Sequence, residues 1–389
     1  MLRIFTAFLW LAFLPQLALS QQEDIVRIGL NGGRSVSKAE VSRVEGSYQL
    51  IADGKTLRTL EAGQKLSFTA SGELVVVMSG NAVIGKYKRV VVKGSTAGVL
   101  RLKVHAGKST FERVYPDNLI VRSQAGKLYL VNEAWLDRYV EGVTEAESGK
   151  GHTLEYYKVQ SLIARTYALA NLHRHATQGF HLCDEVHCQA YKGKARFEPL
   201  IIEATAATKD QVLVDHNIKL ITAAFHSNCG GQTLNAEHVW SKPLSYLVGR
   251  PDTFCLAMPN SQWEKRIKRS EWSSYLQKHA ANGAQATTDS AFLHAYQPSM
   301  RPHFFADSSA RVRMTSVRRD LGLRSAFFVV HEQGDSVRFM GRGFGHGVGL
   351  CQEGGMRMGQ LGYDCRSILH YYYKDVHIID RRQIRFFAD

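Results

Sequence analysis

After its first twenty residues this 389-residue chain has no apolar run approaching the roughly 20 residues that a helix needs to cross a bilayer, which argues against a multi-span membrane protein. It has no repeat at a period of 20 to 50 residues, which disfavours a solenoid. Its one strongly glycine-spaced stretch, GRGFGHGVG at residues 341 to 349, alternates glycine with other residues. That spacing fits neither G-x-G-x-x-G nor a phosphate loop ending in Lys-Ser/Thr, so nucleotide binding is disfavoured. Negative charge is also scarce: 35 Asp and Glu stand against 49 Lys and Arg, a formal balance of +14. The shortage points to an anionic polymer or surface as partner, with plain solubility as the alternative.

The start of the chain, MLRIFTAFLWLAFLPQLALSQQ, joins Arg3 to a short apolar run containing Pro15 and closes on Ala18-Leu19-Ser20. This predicts a signal peptide, residues 1 to 20, cut after Ser20, with an uncleaved anchor as the other reading. Cleavage removes Arg3 and no acidic residue, so the balance falls from +14 to +13. The expected destination is the periplasm or cell envelope, with no stable membrane span after cleavage. Export makes nucleic acid a poor match for the basic charge.

Six cysteines, at 183, 188, 229, 255, 351 and 365, are an even number, which in an exported chain favours disulfides. Sequence proximity makes Cys229 with Cys255 and Cys351 with Cys365 the simplest bridges. Cys183, His187 and Cys188, with His175 or His181 as a fourth donor, offer instead the soft sulfurs and imidazoles of a tetrahedral zinc site.

From Asp24 to about Val104 the pattern is strand-like: Val26, Ile28 and Leu30 alternate with other residues, as do Leu100, Leu102 and Val104. A hairpin is expected over Asn118 to Val131, turning near Gln124 to Gly126. The period then changes. Leu136, Tyr139, Val140 and Val143 fall at helical spacing, and Glu147 continues their stripe while Glu141 and Glu145 lie off it. A second helix should start near Thr153, a capping residue, with Glu155 in its first turn and Val159, Leu162, Ile163, Tyr167 and Ala170 on its apolar face. The segment from Gln262 to Phe305 is mixed and polar and reads as surface elaboration.

Five stretches then carry a family resemblance in one order along the chain. They are LVNEAWLDRYVEGVTEAES, LEYYKVQSLIARTYAL, HLCDEVHCQAYKG, AAFHSNCGGQTLNAEHVWSKPLSYLVGRPD and the closing segment around GRGFGHGVGLCQ. Together they resemble the core of the SpoIID/LytB family, the stage II sporulation D and amidase-enhancer proteins of bacterial cell walls, over roughly residues 111 to 380. Glu147 occupies the family's glutamate position, keeping the eight-residue step to Glu155. The chain departs from the pattern in three places: Ser148-Gly149 replaces Met-Pro, Cys229 stands where Ser or Thr is usual, and Cys351 replaces Ser.

The resemblance implies an α+β fold, with a β-rich region at residues 21 to 110, a mixed core with a glycan-binding groove at 111 to 380 and a tail at 381 to 389. It implies lytic cleavage between N-acetylmuramic acid and N-acetylglucosamine by a single glutamate, Glu147. Arg165, Tyr167, Ser227, His346 and Gln352 would bind the substrate. Burial of Glu147 would raise its pKa and suit it to act as an acid. The family also adds weight to structural zinc at Cys183, His187, Cys188 and His175. The expected partners are peptidoglycan glycan strands and a cell-wall amidase. The competing expectation is a non-catalytic amidase enhancer, and a third is an ordinary hydrolase with a second carboxylate such as Glu237.

Overall fold

A computed structural model describes residues 24–279, 300–305 and 312–386. The expected signal peptide lies outside the described residues, as do the last three positions of the expected tail. No helix among the described residues is long and apolar enough to cross a membrane. The chain combines helices with many strands, the α+β content expected. It divides into two compact units: the described residues up to Tyr139 together with Leu172–Cys188, and Val140–Asn171 together with the described residues from Gln189 onward.

The first unit is β-rich. Its strands are β1 (Ile25–Gly29), β2 (Lys38–Glu45), β3 (Tyr48–Ala52), β4 (Lys55–Thr59), β5 (Lys65–Ser71), β6 (Leu74–Ser79), β7 (Ala82–Tyr87), β8 (Arg89–Gly94), β9 (Val99–Ala106), β10 (Ser109–Pro116), β11 (Asn118–Gln124), β12 (Lys127–Trp135) and β13 (Leu182–Cys183). They form a seven-stranded sheet, β13-β1-β12-β11-β8-β3-β4, and a six-stranded sheet, β10-β9-β2-β5-β6-β7. Alternation decides which side chains go inside. Leu100, Leu102 and Val104 are buried while Arg101 between them is exposed, and Phe68, Val75 and Val77 supply the same inner layer. The hairpin falls where its turn residues put it: Gln124 pairs with Lys127, and Ala125 and Gly126 take φ of 49° and 72°. Two central residues at positive φ give the turn twist that suits a two-residue hairpin.

The second unit holds the helices. Helix α1 (Leu136–Ser148) begins in the first unit and ends in the second, and α2 (Leu154–Ala170) follows after a short break. Thr153 caps α2 as expected, its side chain accepting from the Tyr156 N–H at 3.3 Å. Helix α3 (Pro199–Ala207) lies against α2. Near the C-terminus, α5 (Gln352–Gln360) and α6 (Cys365–Tyr372) pack with α2 around a core that includes Leu162, Leu247, Val348, Leu350 and Ile368.

The segment after Gln262 is not surface elaboration where it is described. Gln262–Lys268 pairs antiparallel with Ser336–Arg342, which pairs in turn with Phe328–Gln333. Helix α4 (Arg269–His279) closes this sheet with Trp272, which is 0 % exposed. Trp263, Ile267, Phe305, Phe328 and Phe339 complete a second apolar core. Its bulk comes from large aromatics, Trp263, Trp272, Phe305, Phe328 and Phe339.

Candidate functional site

Glu147 sits in the last turn of α1, half-buried. Its carboxylate Oε1 accepts from the Ala190 N–H at 2.7 Å. Burial raises its pKa above the ordinary 4.5, opposed by the Ala190 hydrogen bond and by the Lys192 charge. Desolvation dominates, so this carboxyl holds its proton to a higher pH than a free one. Glu145, two residues earlier, does different work: one of its oxygens accepts from the Arg196 and Phe197 N–H groups at 2.9 and 2.7 Å. The two glutamates therefore hold the two ends of one loop to the end of α1.

The helix ends in a way the sequence marks. Gly149 and Gly151 take φ of 72° and 84°, the left-handed region that glycine enters at little cost. The Gly149 N–H returns to the Glu145 carbonyl at 2.9 Å, and the Tyr157 hydroxyl donates to the Gly149 carbonyl at 3.1 Å.

Of the expected substrate residues, Gln352 approaches Glu147, and Ser227 is bonded to the residue after Gln352. Gln352, buried at the start of α5, places Nε2 3.5 Å from the Glu147 carbonyl. The next residue, Glu353, donates its N–H to the Ser227 carbonyl at 3.0 Å, and the Ser227 hydroxyl accepts from Asn260 at 3.3 Å. The buried Glu353 carboxylate accepts from Asn228 and Asn260, each at 2.6 Å. Sequence reasoning did not single out Glu353, Asn228 or Asn260. Nor did it find Ala190, whose contribution is a backbone N–H that no side-chain pattern announces.

Arg165 lies elsewhere than the resemblance implies. It does not line a groove: it is 0 % exposed inside the second unit, and Nη1 and Nη2 donate to the carbonyls of Thr208 and Thr205 at 2.8 and 3.3 Å. Its fork ties α2 to the end of α3. Tyr167, on the same helix, is half-buried. His346 is half-buried in the glycine loop, with Nδ1 accepting from the Val348 N–H at 3.1 Å. Desolvation, with the Arg318 and Arg301 charges nearby, pushes its pKa down to about 4, so it is neutral at physiological pH. The ring of Trp240, a partly exposed side chain, lies 5.3 Å from it. Glu237 opens the short helix Glu237–Trp240 and accepts from Asn235 at 2.9 Å; its pKa is lowered by a backbone hydrogen bond first and by Asn235 second.

In the first unit, His175, Cys183, His187 and Cys188 bring one donor atom each to within 4.8 Å of one another. His175 Nδ1 lies 2.7 Å from Gln178 Oε1, which fixes the proton there and leaves Nε2 facing Cys188 Sγ at 3.4 Å. Orientation of a ligand histidine through its other nitrogen is how protein metal sites are held. His181 is not the fourth donor: its Nδ1 accepts from the Arg27 N–H at 3.2 Å. All six cysteines are free thiols, so the expected Cys229–Cys255 and Cys351–Cys365 bridges are not what the structure holds.

A model of the SpoIID family, described as stage II sporulation protein, matches residues 124–214. An uncharacterised protein of Brachyspira hyodysenteriae is 27% identical over 77% of this chain and 79% of its own length. Stage II sporulation protein D of Bacillus subtilis is 28% identical over 62% of this chain and 74% of its own length. A Bacillus subtilis protein named amidase enhancer is 25% identical over 71% of this chain and 49% of its own length, so the match spans about half of that relative.

Proposed function

On the premise that the comparisons support the SpoIID/LytB family for this chain, we propose that it acts in the bacterial cell wall as a lytic transglycosylase on glycan strands, with Glu147 as acid and base. The observation that carries this is the Glu147 carboxyl, half-buried, fixed at one oxygen by the Ala190 N–H and raised in pKa by desolvation. A glycosidic oxygen leaves readily only if it is protonated as its bond breaks, which calls for such an acid. Most glycosidases add a second carboxylate as nucleophile or base. Here the 6-hydroxyl of the muramic acid attacks its own anomeric carbon, and Glu147, having given its proton to the leaving oxygen, takes the hydroxyl proton back. The product is a 1,6-anhydro end, and no water is consumed.

The basic balance of +14 suits a substrate whose stem peptides have been removed, because each muramic acid then keeps a lactyl carboxylate and the strand becomes a regular polyanion. Gln352 and Ser227, with Tyr167 and His346, are the binding residues in this reading; Arg165 is left to hold the fold. Cys183, His187, Cys188 and His175 would hold zinc in a structural role, since the oriented His175 ring and the two thiols make a fitting tetrahedral donor set. A second reading, a non-catalytic enhancer that binds wall glycan and stimulates an amidase, is favoured by the relative that bears that name.

The test is mass spectrometry of products after amidase-stripped glycan strands meet the purified protein and its Glu147→Gln variant. Anhydro-muramic ends from the parent, reduced about 10²-fold or more in the variant, are expected. Reducing ends would point to a hydrolase instead. Binding without cleavage by either protein would overturn the enzyme and favour the enhancer.

A further inference from the structure

We propose that Cys229, Asp252, Cys255 and Cys351 form a buried site for a tetrahedral divalent metal ion, zinc being the best match, inside the second unit. These four residues come from three distant stretches of sequence, yet one donor atom of each lies within 4.8 Å of the others. Cys229, Asp252, Cys255 and Cys351 are all 0 % exposed. Cys229 Sγ is 3.4 Å from Cys255 Sγ and 3.3 Å from Asp252 Oδ2. A zinc ion with Zn–S of about 2.3 Å sets tetrahedral sulfurs roughly 3.8 Å apart, so a shift of a few tenths of an ångström admits the ion. A covalent S–S bond of about 2.05 Å would need a larger one, and would leave Cys351 and Asp252 converging on nothing.

The surroundings are those of metal thiolates. Cys351 Sγ accepts from the Cys229 N–H at 3.2 Å and from the Gly354 N–H at 3.4 Å, at the N-terminus of α5, where the helix dipole favours negative charge. Asp252 is oriented by the Tyr372 hydroxyl at 2.9 Å on Oδ2 and by the Phe254 N–H at 3.0 Å on Oδ1. Such outer partners fix ligand geometry. The buried Arg301 guanidinium donates to the Cys229 carbonyl at 3.3 Å and offsets part of the charge that three thiolates and a carboxylate carry beyond the metal's own. Without an ion, four acidic groups inside the core of Val348, Leu350, Leu247 and Ile368 would have only weak thiol contacts to offer one another.

The site would pin the loop at Cys229, the turn at Asp252 to Cys255 and the start of α5 to one point. Cys351 immediately precedes Gln352, whose side chain reaches the Glu147 carbonyl. Burial also separates this ion from the one proposed in the first unit. His187 there is exposed, so a chelator can take that zinc from the native protein, whereas the second-unit ion should leave only when the protein unfolds.

The experiment uses the exported full chain, purified without chelator, with metal counted by plasma mass spectrometry and cysteines mapped by alkylation. A Cys183→Ser/Cys188→Ser variant removes the first-unit donors, so its fate cannot confuse the count. One zinc per chain in that variant is expected, retained through native chelation, released on unfolding, and replaceable by cobalt with thiolate-to-cobalt charge-transfer absorption. Cys351→Ser and Cys255→Ser, each added to it, should reduce the count to zero. A metal-free parent with a Cys229–Cys255 linked peptide, or with three freely alkylated thiols, overturns the proposal. Both of those readouts come from unmutated core cysteines, so a misfolding variant does not blunt the test.

Discussion

At the scale of single residues, the chain shows how the same motif can serve two ends. Glu147 and Arg165 both match the family pattern, and only the fold separates a half-buried acid from an interior brace. Helical spacing held the clue: Arg165 lies three residues from Leu162 on the side of α2 that is buried, yet a basic residue on such a face reads equally well as a groove wall. Arg165→Ala would take one donor from each of the Thr205 and Thr208 carbonyls, leaving them the Thr208 hydroxyl and the Gln211 N–H, and would open a void beside them. We expect a loss of more than about 3 kcal/mol in urea unfolding, not a selective rise in KM, and little rescue by lysine, which lacks the planar fork. For Glu147 the sign is opposite. A carboxyl whose pKa is raised in the folded state is favourable below its unfolded value, and that contribution is lost as pH rises through the raised one. Glu147→Gln, uncharged throughout, should therefore be at least as stable as its parent above that range while losing cleavage.

At the scale of elements, the caps and turns were the most legible part. Thr153 as cap, the Ala125-Gly126 hairpin turn and the alternating strand at Leu100 to Val104 all follow from local chemistry and are found as such. Pairing across long distances was not legible, since nothing in the sequence joins β13 to β1, a parallel pair between Leu182 and Ile28. The end of α1 lies between these cases. Where the family pattern has proline after the glutamate, this chain has Gly149 at φ 72°, an angle that proline's ring, fixed near −65°, cannot reach. Ser148-Gly149 is thus a different exit from the helix and not a substitution within the same one. Gly149→Pro should cost about 3 kcal/mol or more in thermal or urea unfolding, because it also deletes the N–H that returns to Glu145. A cost below about 1 kcal/mol would mean that the backbone can take the other route.

At the scale of the molecule, the α+β character and the β-rich first unit were readable from periodicity, but the second core around Trp272 was not. Its sequence is polar because most of α4 faces water and only Trp272 of that helix is fully buried. Trp272→Ala should cost about 3–5 kcal/mol, read as a lowered unfolding midpoint, and should disturb the sheet built on Gln262–Lys268 before it disturbs the first unit. The cysteines tell a similar story: proximity in sequence paired Cys351 with Cys365, whereas the fold gathers Cys351 with Cys229, Asp252 and Cys255, far earlier in the chain.

The loop held by the two glutamates has a further use. The amide proton of Ala190 points at the carboxylate proposed to move the reaction's proton, while those of Arg196 and Phe197 point at Glu145. In a nitrogen-edited NMR spectrum the Ala190 resonance should move as Glu147 titrates, with its midpoint above the ordinary 4.5, and that movement should vanish in Glu147→Gln. The molecule thereby carries its own indicator dye, one backbone signal whose frequency announces whether the acid is loaded.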